Sequence, residues 1–270
     1  MLAIAALISI LTFVSAAAFW VDRSVARESA FLASATEVLE IDSSQQAIAE
    51  ILMNEAVDAV PLLAFVRGAG ERATVALLES GAFDEAIDSL VVAGHRHVMA
   101  RQEGPFTADF TEVRAVIVEP IAQIAPDLAD LIPVDAFREV VIVDAVEVPA
   151  IVGAARWSPT VAVFAAAGAV FLSVGLVMFA TRRSVAVMLV GAAVLITGLG
   201  VVVWSAAGGP LAVGRMDDSA SRILVENGYA LFSRSLRSEG LVLMLAGAVV
   251  AGGGAIGFLF GRTRDPRQET

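Results

Sequence analysis

Two long apolar runs joined by four residues constrain this chain more than any other feature. Pro159 to Ala180 and Val185 to Ala206 contain no ionisable residue, and only Thr181-Arg182-Arg183-Ser184 separates them. A helix rising about 1.5 Å per residue needs about 20 residues to cross roughly 30 Å of hydrocarbon. Each run has that length, and so short a connector makes the two helices antiparallel. Arg182 and Arg183 then sit at one membrane face, while Trp157 and Trp204 meet at the other. Indole rings favour the headgroup boundary, so the open end of this hairpin carries an aromatic belt.

Composition shows that this hairpin is part of a larger membrane protein. The chain has 270 residues, of which 57% are apolar and 17% charged, and its mean hydropathy is +0.78. That is too apolar for a domain surrounded by water, so part of the surface faces lipid. Every basic residue is Arg. The absence of Lys excludes a Walker lysine, a Schiff-base lysine and a Ser-Lys dyad. The absence of Cys excludes thiol nucleophiles, thiolate metal sites, disulfides and a lipid-modified cysteine. Net charge is −11, yet Val21 to Trp157 holds 23 Asp and Glu against 9 Arg, a local balance of −14. Such a region repels nucleic acid and anionic headgroups.

Read in order, residues 1–21 form a first apolar run ending near Trp20. It reads as a signal anchor and first span. Ser15-Ala16-Ala17-Ala18 also offers small residues to a signal peptidase, but a basic segment before the run is missing. Residues 22–156 change to charged positions at helical spacing. Helices are expected over Ser24–Leu39, over Ser43–Val60 with Ser43 and Gln46 in capping-box spacing, over Leu62–Glu79 closed by Gly81, and over Phe83–Gln102. Phe106–Phe110 and Glu139–Val143 are β-like and pair as a short two-stranded ribbon around a helix over Thr111–Ile124. From Ala145 the pattern turns helical again and leads through Ile151 into the second span. Residues 157–206 are the hairpin. Gly208-Gly209-Pro210 reads as a break, and 207–238 as an outer loop with an amphipathic helix, opened by Asp217-Asp218 and interruptible at Asn227-Gly228. Residues 239–261 are the fourth span and 262–270 a polar tail. The expected fold is a mainly α membrane protein with four spans and a mostly helical domain between the first two.

Four spans put both termini on one side. Arg182, Arg183, Arg262, Arg264 and Arg267 mark that side as cytoplasmic, although Arg23, Arg27, Arg156, Arg215, Arg222, Arg234 and Arg237 flank the other. A long domain after a signal-like run is translocated largely regardless of its charge, which puts the acidic domain outside the plasma membrane. With Arg182-Arg183 in the turn, Val140-Val141-Ile142-Val143-Asp144 before the second span and Leu231 to Leu236 before the fourth, the chain resembles a group of uncharacterised four-span actinobacterial membrane proteins. That resemblance implies an anchor, an outer helical domain and an Arg-turn hairpin. It implies no catalytic residue.

Candidate chemistry is sparse. His95 and His97 are the only imidazoles. On a helix, positions two apart point about 200° apart, so they cannot grip one ion; only a strand would put both on one face. Two surface histidines near a helix end are the plainer reading. Glu79, Asp84, Glu85 and Asp88 form an acidic group without the glycine-bearing loop of a calcium site, which reads as a solvated helix face. Gly253, Gly257 and Gly261 recur every four residues and predict a helix-packing stripe. The apolar runs hold no ionisable group, which weighs against transport by this chain alone. The functional expectation is therefore a non-enzymatic plasma-membrane protein, without cofactor, that displays an acidic outer domain for interaction or sensing at the envelope. The bilayer and other membrane or envelope proteins would be its partners. The alternative is an accessory subunit of a transport or secretion complex.

Overall fold

The computed structural model describes residues 1–81, 84–100, 106–108, 126–129, 140–143, 149–213 and 219–262, with Val118 and Ala122. The chain forms two compact units. One comprises Met1–Val25, Ala154–Gly208 and Phe232–Thr270, and the other Ala26–Gly153 and Gly209–Leu231. Among the described residues, four helices are long and apolar enough to cross a membrane. In chain order the elements are α1 (Leu2–Val21), a π-helical turn over Asp22–Ala26, α2 (Glu28–Leu39), α3 (Asp42–Ala59) and a 3-10 turn over Pro61–Val66. Then come α4 (Arg67–Glu79), α5 (Asp84–Ala100), β1 (Phe106–Ala108), α6 (Pro126–Ala129) and β2 (Val140–Val143). Three long helices follow, α7 (Pro149–Phe179), α8 (Arg183–Val213) and α9 (Ser219–Arg262).

The apolar unit is packed with small residues inside and large ones outside. Along α7, Ser158, Ala162, Ala165, Ala169 and Leu176 are buried at helical spacing, while Phe164, Phe171 and Phe179 are 74%, 78% and 88% exposed. In water that surface would be an aggregation hazard. In lipid it is the stable arrangement, because acyl chains are as apolar as Leu and close backbone approach supplies the packing. Ala5 and Ile8 of α1 join Leu176, Ala186 and Ala193 in one cluster.

Close approach is sharpest between α8 and α9. Gly191 and Gly198 on α8, and Gly240, Gly247 and Gly254 on α9, recur every seven residues. Two helical turns take about 7.2 residues, so each set keeps to one face. A Cβ on Gly254 would stand 2.6 Å from the amide nitrogen of Met188, and one on Gly198 2.6 Å from Gly240 O. On Gly191 it would strike the backbone of Ala251, and on Gly247 that of Leu195. Backbone cannot swing aside as a side chain can, so only glycine fits.

Within the chain this contact uses other glycines than the expected stripe. Gly253 has nothing within 4 Å of a would-be Cβ, and Gly257 meets only Ser184 Cβ at 3.7 Å. Gly261 lies in α9, with its surroundings outside the described residues.

Uncharged polar contacts tie α1 to its neighbours. Ser9 and Thr197 share a hydroxyl hydrogen bond of 2.9 Å, and Thr197 Oγ1 also reaches Ser9 O and Ala193 O at 3.0 Å. Ser15 donates to Ala162 O at 2.9 Å. Trp20 Nε1 donates to Phe232 O and to Ser235 Oγ at 3.2 and 3.0 Å.

Two expected breaks are absent. Helix α8 runs through Gly208-Gly209-Pro210 to Val213. Pro210 lies in its last turn, so the backbone bond that its missing N–H forgoes is followed by only three more helical residues, and a Cβ on Gly209 would stand 2.8 Å from Tyr229 Cδ1. Helix α9 is uninterrupted at Asn227-Gly228, so the amphipathic segment and the last span are one helix of 44 residues. A mid-helix glycine costs only about 1 kcal/mol relative to Ala. The Asn227 amide, rather than competing for its own backbone, donates to Ser43 Oγ and Ser44 Oγ at 2.8 and 2.9 Å.

In the charged unit α3 packs on α4 and α2 on α5. Its core is Leu52, Met53, Ala56, Val60, Leu63 and Ala129. Gly70 on α4 admits the Met53 thioether, whose Sδ would lie 2.7 Å from an added Cβ. Helix α2 begins at Glu28 rather than Ser24, because Arg27 is extended at φ −82 and ψ 115. The expected capping box at Ser43 is not formed: Ile41 holds the N-cap position of α3 without a side-chain cap. Gly81 closes the α4 end with φ +70, a left-handed conformation that suits glycine. β1 and β2 pair antiparallel with Phe106 opposite Val143. The helix expected over Thr111–Ile124 and the Asp217-Asp218 pair lie outside the described residues, apart from Val118 and Ala122.

If the α8–α9 seam holds this unit together, Gly247→Leu or Gly191→Leu will lower stability in detergent by at least about 2 kcal/mol, the cost of overpacking. Gly253→Leu will change it by less than about 0.5 kcal/mol. Thermal unfolding of the three purified variants provides the comparison.

Candidate functional site

Polar groups in the charged unit gather in a cleft of about 420 Å³. Its walls come from α2, α3, the end of α4 and the start of α5. Where α2 gives way to α3 the chain supplies Glu40 and Asp42, and across the turn from α4 to α5 it supplies Glu79 and Asp84. Asp88 lies one helical turn after Asp84 on the same face of α5. The tight turn at Gly81 lets Asp84 come close, since a Cβ there would stand 3.0 Å from Asp84 Oδ2. The Thr36 hydroxyl on α2 lies 3.2 Å from Asp88 Oδ1 and 3.1 Å from Leu32 O.

Gln45 sits in the first turns of α3 and lines the same cleft. Its residue is 9% exposed, and its Oε1 is buried without a hydrogen-bond partner. A buried amide oxygen left unmet costs about 1–3 kcal/mol. Leu39, Ile48, Leu78 and Ile87 complete the walls with apolar surface.

Glu79, Asp84 and Asp88 were visible in the sequence as an acidic group, and the structure places all three on this cleft. The side chain of Glu85 lies outside the described residues. Sequence reasoning missed Glu40, Asp42, Thr36 and Gln45. Their sign was the charged doublet around Ile41, which marks a helix-to-helix corner rather than one helix face. Among the described residues no group of three His, Asp or Glu side chains is placed to hold a metal ion.

The histidine pair behaves differently from the expected surface pair. His95 is buried, 8% exposed, with its ring tilted 34° against Phe31 at a centroid distance of 4.8 Å. The side chain of His97 lies outside the described residues. Between them Arg96 points outward and grips Glu28 through two bonds of 2.9 Å, Nε to Oε2 and Nη2 to Oε1. This two-pronged hydrogen bond from Arg96 is the main reason that the Glu28 carboxyl titrates below its ordinary value, with burial opposing it weakly.

Of the residues expected at the membrane boundary, Arg182 and Arg183 are exposed at the turn between α7 and α8. Trp157 and Trp204 are 62% and 57% exposed. Trp20 is half-buried and bonded to α9.

The lowered Glu28 pKa carries a sign. A carboxyl depressed in the folded state adds stability above its unfolded pKa and loses it as pH falls through the folded value. Arg96→Gln should therefore return the Glu28 titration to the ordinary carboxylate range and remove that part of the acid sensitivity. Carboxyl carbon shifts followed against pH in the two proteins will show it, and an unmoved Glu28 midpoint would refute the assignment.

Comparison of the chain with protein-family models, with curated proteins and with solved structures gave no match.

Proposed function

We propose that this is a non-enzymatic integral membrane protein that displays an acidic, mainly helical domain on the outer side of the plasma membrane for interaction or sensing at the envelope. The observation that carries the reading is the pairing of two dissimilar units in one chain. One exposes large apolar side chains around glycine- and alanine-lined contacts, as a bilayer demands. The other gathers five carboxylates on one cleft, a surface made for a cationic ligand or partner. Residues 22–156, including the short β ribbon, belong in this reading to the outer domain, and both termini lie in the cytoplasm.

The chemistry of the sequence supports the non-enzymatic part of the reading. Lys and Cys are absent. His95, on which a triad or metal site would depend, is packed against Phe31. The resemblance to four-span actinobacterial membrane proteins is kept as part of the proposal, on the Arg182-Arg183 turn and the segments before the second and fourth spans.

Orientation is open to direct test. Alkaline phosphatase fused after Thr270 should be inactive, and the same enzyme inserted near Gly104 should be active. The opposite pattern would mean that the Arg residues flanking the acidic domain hold it in the cytoplasm, and the proposed display outside would fall.

A further inference from the structure

We propose that a groove in the apolar unit holds a phospholipid with an ethanolamine headgroup, its phosphate on Arg23 and its ammonium on Glu239. This goes beyond the proposed function and rests on it only for the bilayer around these helices.

The groove is walled by α1, α7 and α9, all within one compact unit. Its volume of about 580 Å³ is within the roughly 300–1,000 Å³ of small-molecule sites. From Arg23 back to Thr12 the α1 side of the wall extends roughly 16 Å at the helical rise. That is about half of the roughly 30 Å of hydrocarbon, the depth that an acyl chain of one leaflet fills. Ala16, Phe19, Ala162, Ala166, Val242 and Leu243 make the wall apolar. Thr12 and Ser15 also line it, but their hydroxyls donate to Ile8 O and Ala162 O at 2.8 and 2.9 Å. A methylene chain therefore meets no donor in need of a partner along that side.

One end of the groove is charged. Arg23, Ser238 and Glu239 stand there, beside Trp20, whose indole is bonded to Ser235 one turn before Glu239 on α9. Arg23 Nη1 and Glu239 Oε1 lie 3.9 Å apart, an attraction too long to be a hydrogen bond. Neither group spends its hydrogen bonds on the other. The Glu239 side chain is only 23% exposed against 57% for Arg23, and a carboxylate so covered is costly unless a cation also bonds to it.

Charge complementarity selects the headgroup. Phosphoethanolamine carries an anion and a cation on an ethylene link, which matches Arg23 and Glu239 in reverse. Guanidinium grips phosphate oxygens in two-pronged fashion, and an ammonium N–H makes a charge-assisted bond to a carboxylate. A choline headgroup has the cation but no N–H to donate. A glycerol headgroup has no cation and sets its negative charge beside Glu239, so this end of the groove works against it.

The test offers the full chain in neutral detergent equal amounts of phosphatidylethanolamine, phosphatidylcholine and phosphatidylglycerol with matched acyl chains, and reads the retained lipid by native mass spectrometry. The ethanolamine lipid should be retained at one per chain and about tenfold over each of the others, the worth of one hydrogen bond between charged groups. Glu239→Leu should erase its advantage over the choline lipid. Glu239→Lys should turn the preference toward the glycerol lipid, a gain that a misfolded protein would not show. Arg23→Gln should lower retention of all three. Ala166→Phe, at an exposed alanine of the wall, should block the acyl chain with both headgroup residues intact, and Phe171→Leu, outside the groove, should change nothing. Equal retention of the three lipids by the parent would overturn the inference, as would an unchanged preference in Glu239→Lys or a lipid-free dimer. Reversed phosphatase activities would overturn the outer display and leave a measured lipid preference standing. Recovery of the chain in solution without detergent would overturn the membrane reading itself.

Discussion

The apolar unit depends on two backbones touching. Along α8 and α9 the contact is made where Gly191 and Gly198 face Ala251, Gly247, Gly240 and Met244, with Gly254 against Met188 and Ser184. In water a helix pair is driven together by hiding apolar surface. In a bilayer that drive is absent, because a Leu against lipid is as well solvated as a Leu against protein. What remains is dispersion between atoms that come closer than lipid could, and a missing Cβ brings the main chains within reach. The other features follow from this economy. Large side chains such as Phe164 and Phe171 go outward, Ala lines the inner face of α7, and α1 is tied on by the Ser9, Ser15 and Trp20 hydrogen bonds.

The four helices long and apolar enough to cross a membrane were legible because hydropathy is additive along the chain and indifferent to the fold. The α8–α9 glycine contact was hidden for a related reason. A period of four is visible inside one glycine-rich segment, whereas a period of seven shared by Gly191, Gly198, Gly240, Gly247 and Gly254 becomes visible only when two helices are set side by side. The breaks at Gly208-Gly209-Pro210 and Asn227-Gly228 were overread because local propensity was weighed without its neighbours. Tyr229 packed at Gly209 and the Ser43 and Ser44 hydroxyls that accept from Asn227 are tertiary facts. The site was half legible. Glu79, Asp84 and Asp88 announce themselves by charge, but Gln45 is an ordinary helix residue until its surroundings are known.

In the charged unit the two clusters of polar chemistry are built on different terms. Arg96 and Glu28 satisfy each other in a planar two-pronged contact at the surface, where water screens the pair and its worth to stability is small. The cleft carries five carboxylates on its walls and no described cation among them. Glu40, Asp42, Glu79 and Asp84 are exposed to water, as Asp127 is, and only Asp88 is half-buried.

The polar groups of the spans bear on what those helices are for. Ser9, Thr197 and Ser15 satisfy their hydroxyls on one another or on backbone carbonyls. Such contacts are modest in a bilayer, averaging about 0.6 kcal/mol where measured by double-mutant cycles, and none needs a proton to come or go. A pathway for ions or protons is normally lined by groups that exchange partners as cargo passes, and ionisable residues at membrane depth are its usual mark. Here the hydroxyls are fixed links between α1 and the hairpin, and glycine contact seals α8 to α9. Side chains spent on holding helices in register are not free to hand a substrate along, which fits the anchoring role proposed for these helices.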